Sequence, residues 1–219
     1  MQRLAAVIAL VAACATAQTP QNCSFSTLQT CQNTFNTYLG ISEPIPWQDA
    51  FSYRQKLEAL YEKNGIDGVK KVCRGFREMK QCTGTCYQTL LSVPSLVKDG
   101  GVDVIHAFVY MSTYNALHYL CGAGFNTYIM NQACFIQTWS EHRLELDQYR
   151  RQFEVDAYTN PTMACGLANG LLTRFENAFA HDCGSESRDT QFFGCEYART
   201  SLYTMFPQCS NGCSLPVVG

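Results

Sequence analysis

Several signatures of metal-binding and catalytic proteins are absent from this 219-residue chain. No Cys-x-x-Cys pair occurs; the closest cysteines are Cys82 and Cys86, and Cys209 and Cys213, each with three residues between them and no histidine at ligand spacing beside them. That argues against zinc knuckles, which use tighter spacing and reduced thiolates. No Gly-x-Ser-x-Gly elbow and no phosphate-binding glycine loop is present, so the common signatures of serine hydrolases and nucleotide-binding enzymes are missing. Charge is sparse and nearly balanced, at 16% charged residues and a formal net charge of -2, which gives no overall attraction to nucleic acid or anionic membranes. Sustained apolar/polar alternation flanked by hairpin dipeptides is lacking, so strands are not expected. Downstream of the N-terminus, the apolar stretch from Val102 to Cys121 has the length of a membrane span. Asp103, His106, Ser112, Thr113, Asn115 and His118 interrupt it, and it reads as a buried helix instead.

Cysteine is abundant, with thirteen residues. The first lies in an N-terminal segment with the form of a signal peptide: Gln2 and Arg3, an apolar run from Leu4 to Cys14, then Ala15-Thr16-Ala17 with small residues where a signal peptidase reads. Cleavage is expected after Ala17, leaving residues 18–219 as the secreted chain. Twelve cysteines remain: Cys23, Cys31, Cys73, Cys82, Cys86, Cys121, Cys134, Cys165, Cys183, Cys195, Cys209 and Cys213. An even number behind a secretory signal implies an oxidising compartment and six disulfides, whose connectivity spacing alone leaves open.

Helical periodicity runs through nearly the whole chain. Phe25, Leu28, Cys31, Phe35 and Leu39 form one stripe ending at Gly40; Trp47 to Tyr61 form a second, closed by Asn64-Gly65. Val69, Val72, Cys73, Phe76 and Met79 mark a third, and Val102 to Gly122 a central fourth. A fifth is expected from Phe125 to Trp139, with Leu144, Leu146, Tyr149 and Phe153 continuing in a charged, more exposed segment. Pro161 starts another, which Gly184 ends, and Pro207 stops the last. The fold class expected is all-α, a disulfide-rich helical bundle, with two lobes an option. Each half holds six cysteines and one Cys-x3-Cys, a weak echo of duplication, and a sub-boundary would fall near residues 156–160.

Candidate chemistry is thin. His181-Asp182 beside Cys183 invites comparison with the helix-borne His-Asp pair of secreted calcium-dependent phospholipases. Asn177, Ala178 and Gly184 stand where that motif needs cysteines, so the pair reads as the last turn of a helix. His106 and His118 are twelve residues apart and point roughly 120° from one another on a helix. His142 reads as isolated among charged residues, and Glu141 and Glu145 as a solvated face. Lys70, Lys71, Arg74, Arg77 and Lys80 form the densest basic cluster, offset by Glu62, Asp67 and Glu78. It is the candidate contact for an acidic polysaccharide or a phospholipid headgroup. Asn22-Cys23-Ser24 is a glycosylation sequon, whereas proline excludes Asn160-Pro161-Thr162.

The segments Asn22-Cys23 through Cys31, Val72-Cys73-Arg74-Gly75-Phe76, Cys82, Cys86, Leu120-Cys121 and Cys134-Phe135 resemble the secreted cysteine-rich helical domains of nematodes, of unknown function, related to chondroitin proteoglycan core-like domains. The resemblance covers residues 20–140 best. It implies an extracellular helical fold without established catalysis. The chain has no Ser-Gly dipeptide, so a glycosaminoglycan attachment role does not carry over. The function expected is a secreted binding or structural module with an extracellular protein or polysaccharide as partner, and with no cofactor, metal, catalytic centre or nucleic-acid partner. Two alternatives stand beside it. One is a carrier that uses some of the thirteen Phe and twelve Tyr residues to line an apolar cavity. The other is a secreted hydrolase.

Overall fold

A computed structural model describes residues 23–42 and 46–214. The signal segment and Asn22 lie outside the described residues. Among the described residues ten α-helices follow in order: α1 Phe25–Leu39, α2 Ala50–Lys63, α3 Gly65–Thr83, α4 Tyr87–Leu90, α5 Val93–Lys98, α6 Val104–Leu120, α7 Phe125–Met130, α8 Gln132–Thr159, α9 Ala164–Cys183 and α10 Arg188–Met205. No strand occurs among the described residues. The all-α, disulfide-rich architecture expected from periodicity is therefore what the chain adopts.

Local signals set several helix ends. Asp49 caps α2 by accepting from the Ser52 amide at 3.2 Å, and Asp103 caps α6 by accepting from the Ile105 amide at 3.0 Å. Gly40 closes α1 in the left-handed region at φ 78°, a conformation that glycine adopts without a side-chain penalty. The stretch from Phe125 onward departs from expectation. It breaks at Asn131, whose backbone leaves helical geometry while its side-chain amide donates to the Thr127 carbonyl at 2.9 Å. Beyond the break, the supposedly exposed charged segment is the rest of a 28-residue helix, α8. One face of it is buried, including Asp147, Arg150 and Glu154.

Six disulfides pair all twelve cysteines among the described residues: Cys23–Cys86, Cys31–Cys82, Cys73–Cys121, Cys134–Cys183, Cys165–Cys209 and Cys195–Cys213. The first six cysteines pair among themselves, as do the last six. Taken in order, the first set joins one to five, two to four and three to six, while the second joins one to three, two to five and four to six. The cysteine echo between the halves therefore does not extend to the pairing.

The core follows the same division. Trp47, Tyr53, Tyr110, Tyr114 and Phe76 pack ring against ring in one aromatic cluster. Phe135, Trp139, Phe179, Phe193 and Tyr197 form a second. The two are compatible with two lobes, but the lobes are not independent. Tyr61 of α2 stacks edge-on against Trp139 of α8 at 5.5 Å. Arg54 Nε of α2 lies 3.0 Å from Asp147 Oδ1 of α8, and Arg54 Nη1 lies 2.7 Å from Glu154 Oε1. Arg150 pairs with Glu58, which also accepts from the Tyr197 hydroxyl at 2.9 Å. These five charged side chains are at most 1% exposed. Ion pairs at such depth owe much of their Coulomb gain to offsetting desolvation, so they fix how the helices register more than they add stability.

Candidate functional site

Helix α3 carries the basic cluster, and its geometry sorts the five cations. Lys70, Arg74 and Arg77 stand at i, i+4 and i+7, which places them on one helical face. That face opens on a cleft of about 680 Å³ between α3, the end of α6 and the start of α7. Lys70, Arg74, Arg77 and Lys80 line it. Its floor is apolar: Phe76, Phe125 and the Cys73–Cys121 disulfide, which ties α3 to the residue after α6. No carboxylate lines it. Lys70, Arg74 and Arg77 are exposed and make no ion pair among the described residues.

Lys80 extends over the rings of Phe76 and Tyr87, with Nζ 5.6 and 5.5 Å from their centroids. Together with His118 it separates this cleft from a second depression of about 320 Å³, lined further along by Gln88, Met111 and Asn115. Lys80 and His118 line both hollows, which adjoin along the α3–α6 seam as the two parts of a groove. Lys71 is not part of it. It points toward α1, where Nζ lies 3.4 Å from the Leu39 carbonyl and 5.7 Å from the Tyr38 ring centroid. Glu78 also faces the α1 side, beside Cys31 and Tyr38. Glu78, one of the three acidic residues that offset the cluster in sequence, is therefore turned away from the cleft.

His118 was not among the candidate contact residues. Its distance from the cluster in sequence hid it, and only the docking of α6 on α3 brings it to the cleft. His106 lies elsewhere: its Nδ1 accepts from the Ala50 amide at 3.2 Å, and its ring meets Phe51 edge-on. The two histidines of α6 do not converge.

A second grouping forms where α8 and α9 pack antiparallel. His142, read as isolated in sequence, is not. Its Nε2 lies 3.5 Å from Asp182 Oδ2, and Asp182 Oδ1 lies 2.7 Å from His181 Nδ1. The hydrogen bond that His181 donates to Asp182, reinforced by the negative charge of the carboxylate, raises the His181 pKa above the ordinary histidine value. His181-Asp182 does sit in the last turn of a helix ended by Gly184, as its sequence context implied. Spacing could not show the approach of His142, since about forty residues and a helix reversal separate the two.

Comparison with models of protein families, with curated proteins and with solved structures finds no match. Among the described residues, no helix is long and apolar enough to cross a membrane. Six disulfides accord with folding in an oxidising, extracytoplasmic compartment.

Proposed function

We propose that this protein is a secreted extracellular binding module, without catalysis, whose α3–α6 groove receives an elongated polyanion such as a sulfated polysaccharide. One observation carries the reading: four cations converge on an apolar-floored groove that no carboxylate lines. Lys70 and Lys80 are ten residues apart, so the charges are spread over about 15 Å of helix. A lone phosphate or carboxylate would engage one or two of them, whereas a chain with repeated sulfates can engage the row. A second hollow beyond Lys80 and His118 favours an extended ligand over a compact one. The half-buried rings of Phe125 and Tyr87 and the methylene stems of the cations supply apolar contact for sugar faces between the charges.

Retention on an immobilised sulfated polysaccharide tests this. Wild-type protein is expected to bind at low salt and to elute as salt rises, because exposed charges are screened beyond about 8 Å at physiological ionic strength. Exposed ion contacts contribute roughly 0.2–1 kcal/mol each. Lys70→Gln, Arg74→Gln and Arg77→Gln combined should therefore weaken binding by roughly 3- to 150-fold. Lys71→Gln alone should leave it unchanged, since Lys71 faces α1. Wild type in the void volume at low salt, or equal losses from Lys71→Gln and the triple variant, would refute the assignment.

A further inference from the structure

The contact of α8 with α9 holds an unusual set of polar atoms, independent of the groove. The Asp182 side chain is fully buried, at 0% exposure. Its Oδ2 has no hydrogen-bond partner among the described residues, and neither has His142 Nε2, which faces it. Leaving a buried acceptor or donor unsatisfied costs about 1–3 kcal/mol. A direct hydrogen bond between these two atoms would satisfy both, yet they are 3.5 Å apart, beyond good hydrogen-bond geometry.

That separation is the one a shared metal ion requires. Zinc–nitrogen and zinc–oxygen bonds are about 2.0–2.2 Å, so two ligand atoms on a tetrahedral ion lie about 3.3–3.5 Å apart. A third donor is within reach. One ligand atom each from His142, His181 and Asp182 lies within 4.8 Å of the others. The His181 side chain is 71% exposed and free to turn from Asp182 Oδ1 toward an ion.

The surroundings suit the same occupant. The other imidazole nitrogen of His142 faces Glu145 Oε2 at 3.8 Å. At that distance the carboxylate can support the ring electrostatically, as the outer carboxylate of a metal-bound histidine does, without a direct hydrogen bond. The Cys134–Cys183 disulfide joins the start of α8 to the residue after Asp182, which restrains the buried ligand. With every cysteine of the described chain in a disulfide, no thiolate competes for the ion.

We propose that His142, His181 and Asp182 form a binding site for a divalent transition-metal ion, with zinc as the best-fitting occupant. Two imidazoles and one carboxylate select zinc, copper or nickel, whereas calcium and magnesium take mostly oxygen ligands. Three protein ligands leave a fourth position on the solvent side, beside the exposed His181, for a water or a donor atom of a partner. Bound metal would clip α8 to α9 next to their disulfide.

Calorimetric titration of untagged, oxidised, chelator-stripped protein with zinc chloride at near-neutral pH tests the site. The expected result is saturable binding of a single equivalent, with a raised melting temperature. Calcium and magnesium chloride should produce neither. His142→Gln, His181→Gln and Asp182→Asn should each weaken zinc binding by at least about tenfold, the lower bound for even a supporting residue of a metal site. His181→Gln carries the most weight, because an exposed side chain can be replaced without disturbing the core. Zinc should also shift the imidazole nitrogen resonances of His142 and His181 while leaving those of His106 and His118 in place. No zinc binding by wild type, or binding that survives His181→Gln undiminished, would overturn the proposal.

Discussion

Asp147, Arg150 and Glu154 show how little a charged side chain's identity reveals about its place. In the sequence they mark α8 as solvent-facing, yet all three are buried. Their positions hold the missed signal: Leu146, Arg150, Phe153 and Ala157 follow one helical stripe, and Arg150 occupies a slot in it that an apolar residue would normally fill. The partners that make burial tolerable, Arg54 and Glu58, lie about a hundred residues upstream. Arg54→Leu should destabilise the protein by about 3–5 kcal/mol in urea unfolding, because Asp147 and Glu154 would each lose a buried counter-charge. A loss under about 1 kcal/mol would mean that water reaches the cluster. The same network predicts the acid response. Burial pushes the Asp147 carboxyl up, but Arg54 and Arg150 outweigh it and hold the pKa below the ordinary 3.8. A depressed folded-state pKa gives stability that is fully present above the unfolded value and lost as pH falls through the folded one. Unfolding free energy should therefore be insensitive to this group above about pH 5 and decline below about pH 4. An Asp147→Asn variant should show a shallower decline.

Helices were the most legible level. The apolar stripes, the glycine stops and the prolines flanking the last two helices placed most elements within a few residues, since each of those signals is local. The break at Asn131 and the closeness of helix approach were not legible, because both depend on what packs opposite. The α9–α10 contact illustrates the second point. At Gly194 an added Cβ would come within 2.5 Å of Phe179 Cδ2 and 2.8 Å of the Phe175 carbonyl oxygen, and a backbone atom cannot easily give way. Gly194→Ala is thus expected to cost about 1–3 kcal/mol by overpacking. Gly170 of α9 is also helical but has open space around it. Gly170→Ala should raise stability by roughly 0.5–1 kcal/mol through lower chain entropy in the unfolded state and better helix propensity. Thermal melts of the two variants should move in opposite directions, and a shared direction would contradict the packing described for this helix pair. The groove is an intermediate case. The cluster on α3 was visible from sequence, but which of its members face the cleft, and that His118 joins them, required the docking of α6.

At the scale of the molecule, cysteine number was readable and cysteine pairing was not, since pairing depends on which helix ends meet in space. The arrangement found has no bridge between the set ending at Cys121 and the set beginning at Cys134. A specific protease site inserted after the exposed Ala123 should therefore yield, once cut, two fragments that separate on a denaturing gel without reductant. A single band would show that a bridge crosses the halves. This arrangement also bears on biosynthesis. Twelve thiols released together could pair in roughly ten thousand ways, but two segregated sets of six have only about fifteen options each. A chain threading into an oxidising lumen from its N-terminus presents the first set before the second exists there. Its early thiols can then be oxidised with no later cysteine available as a wrong partner, so the order of emergence itself guards against scrambling.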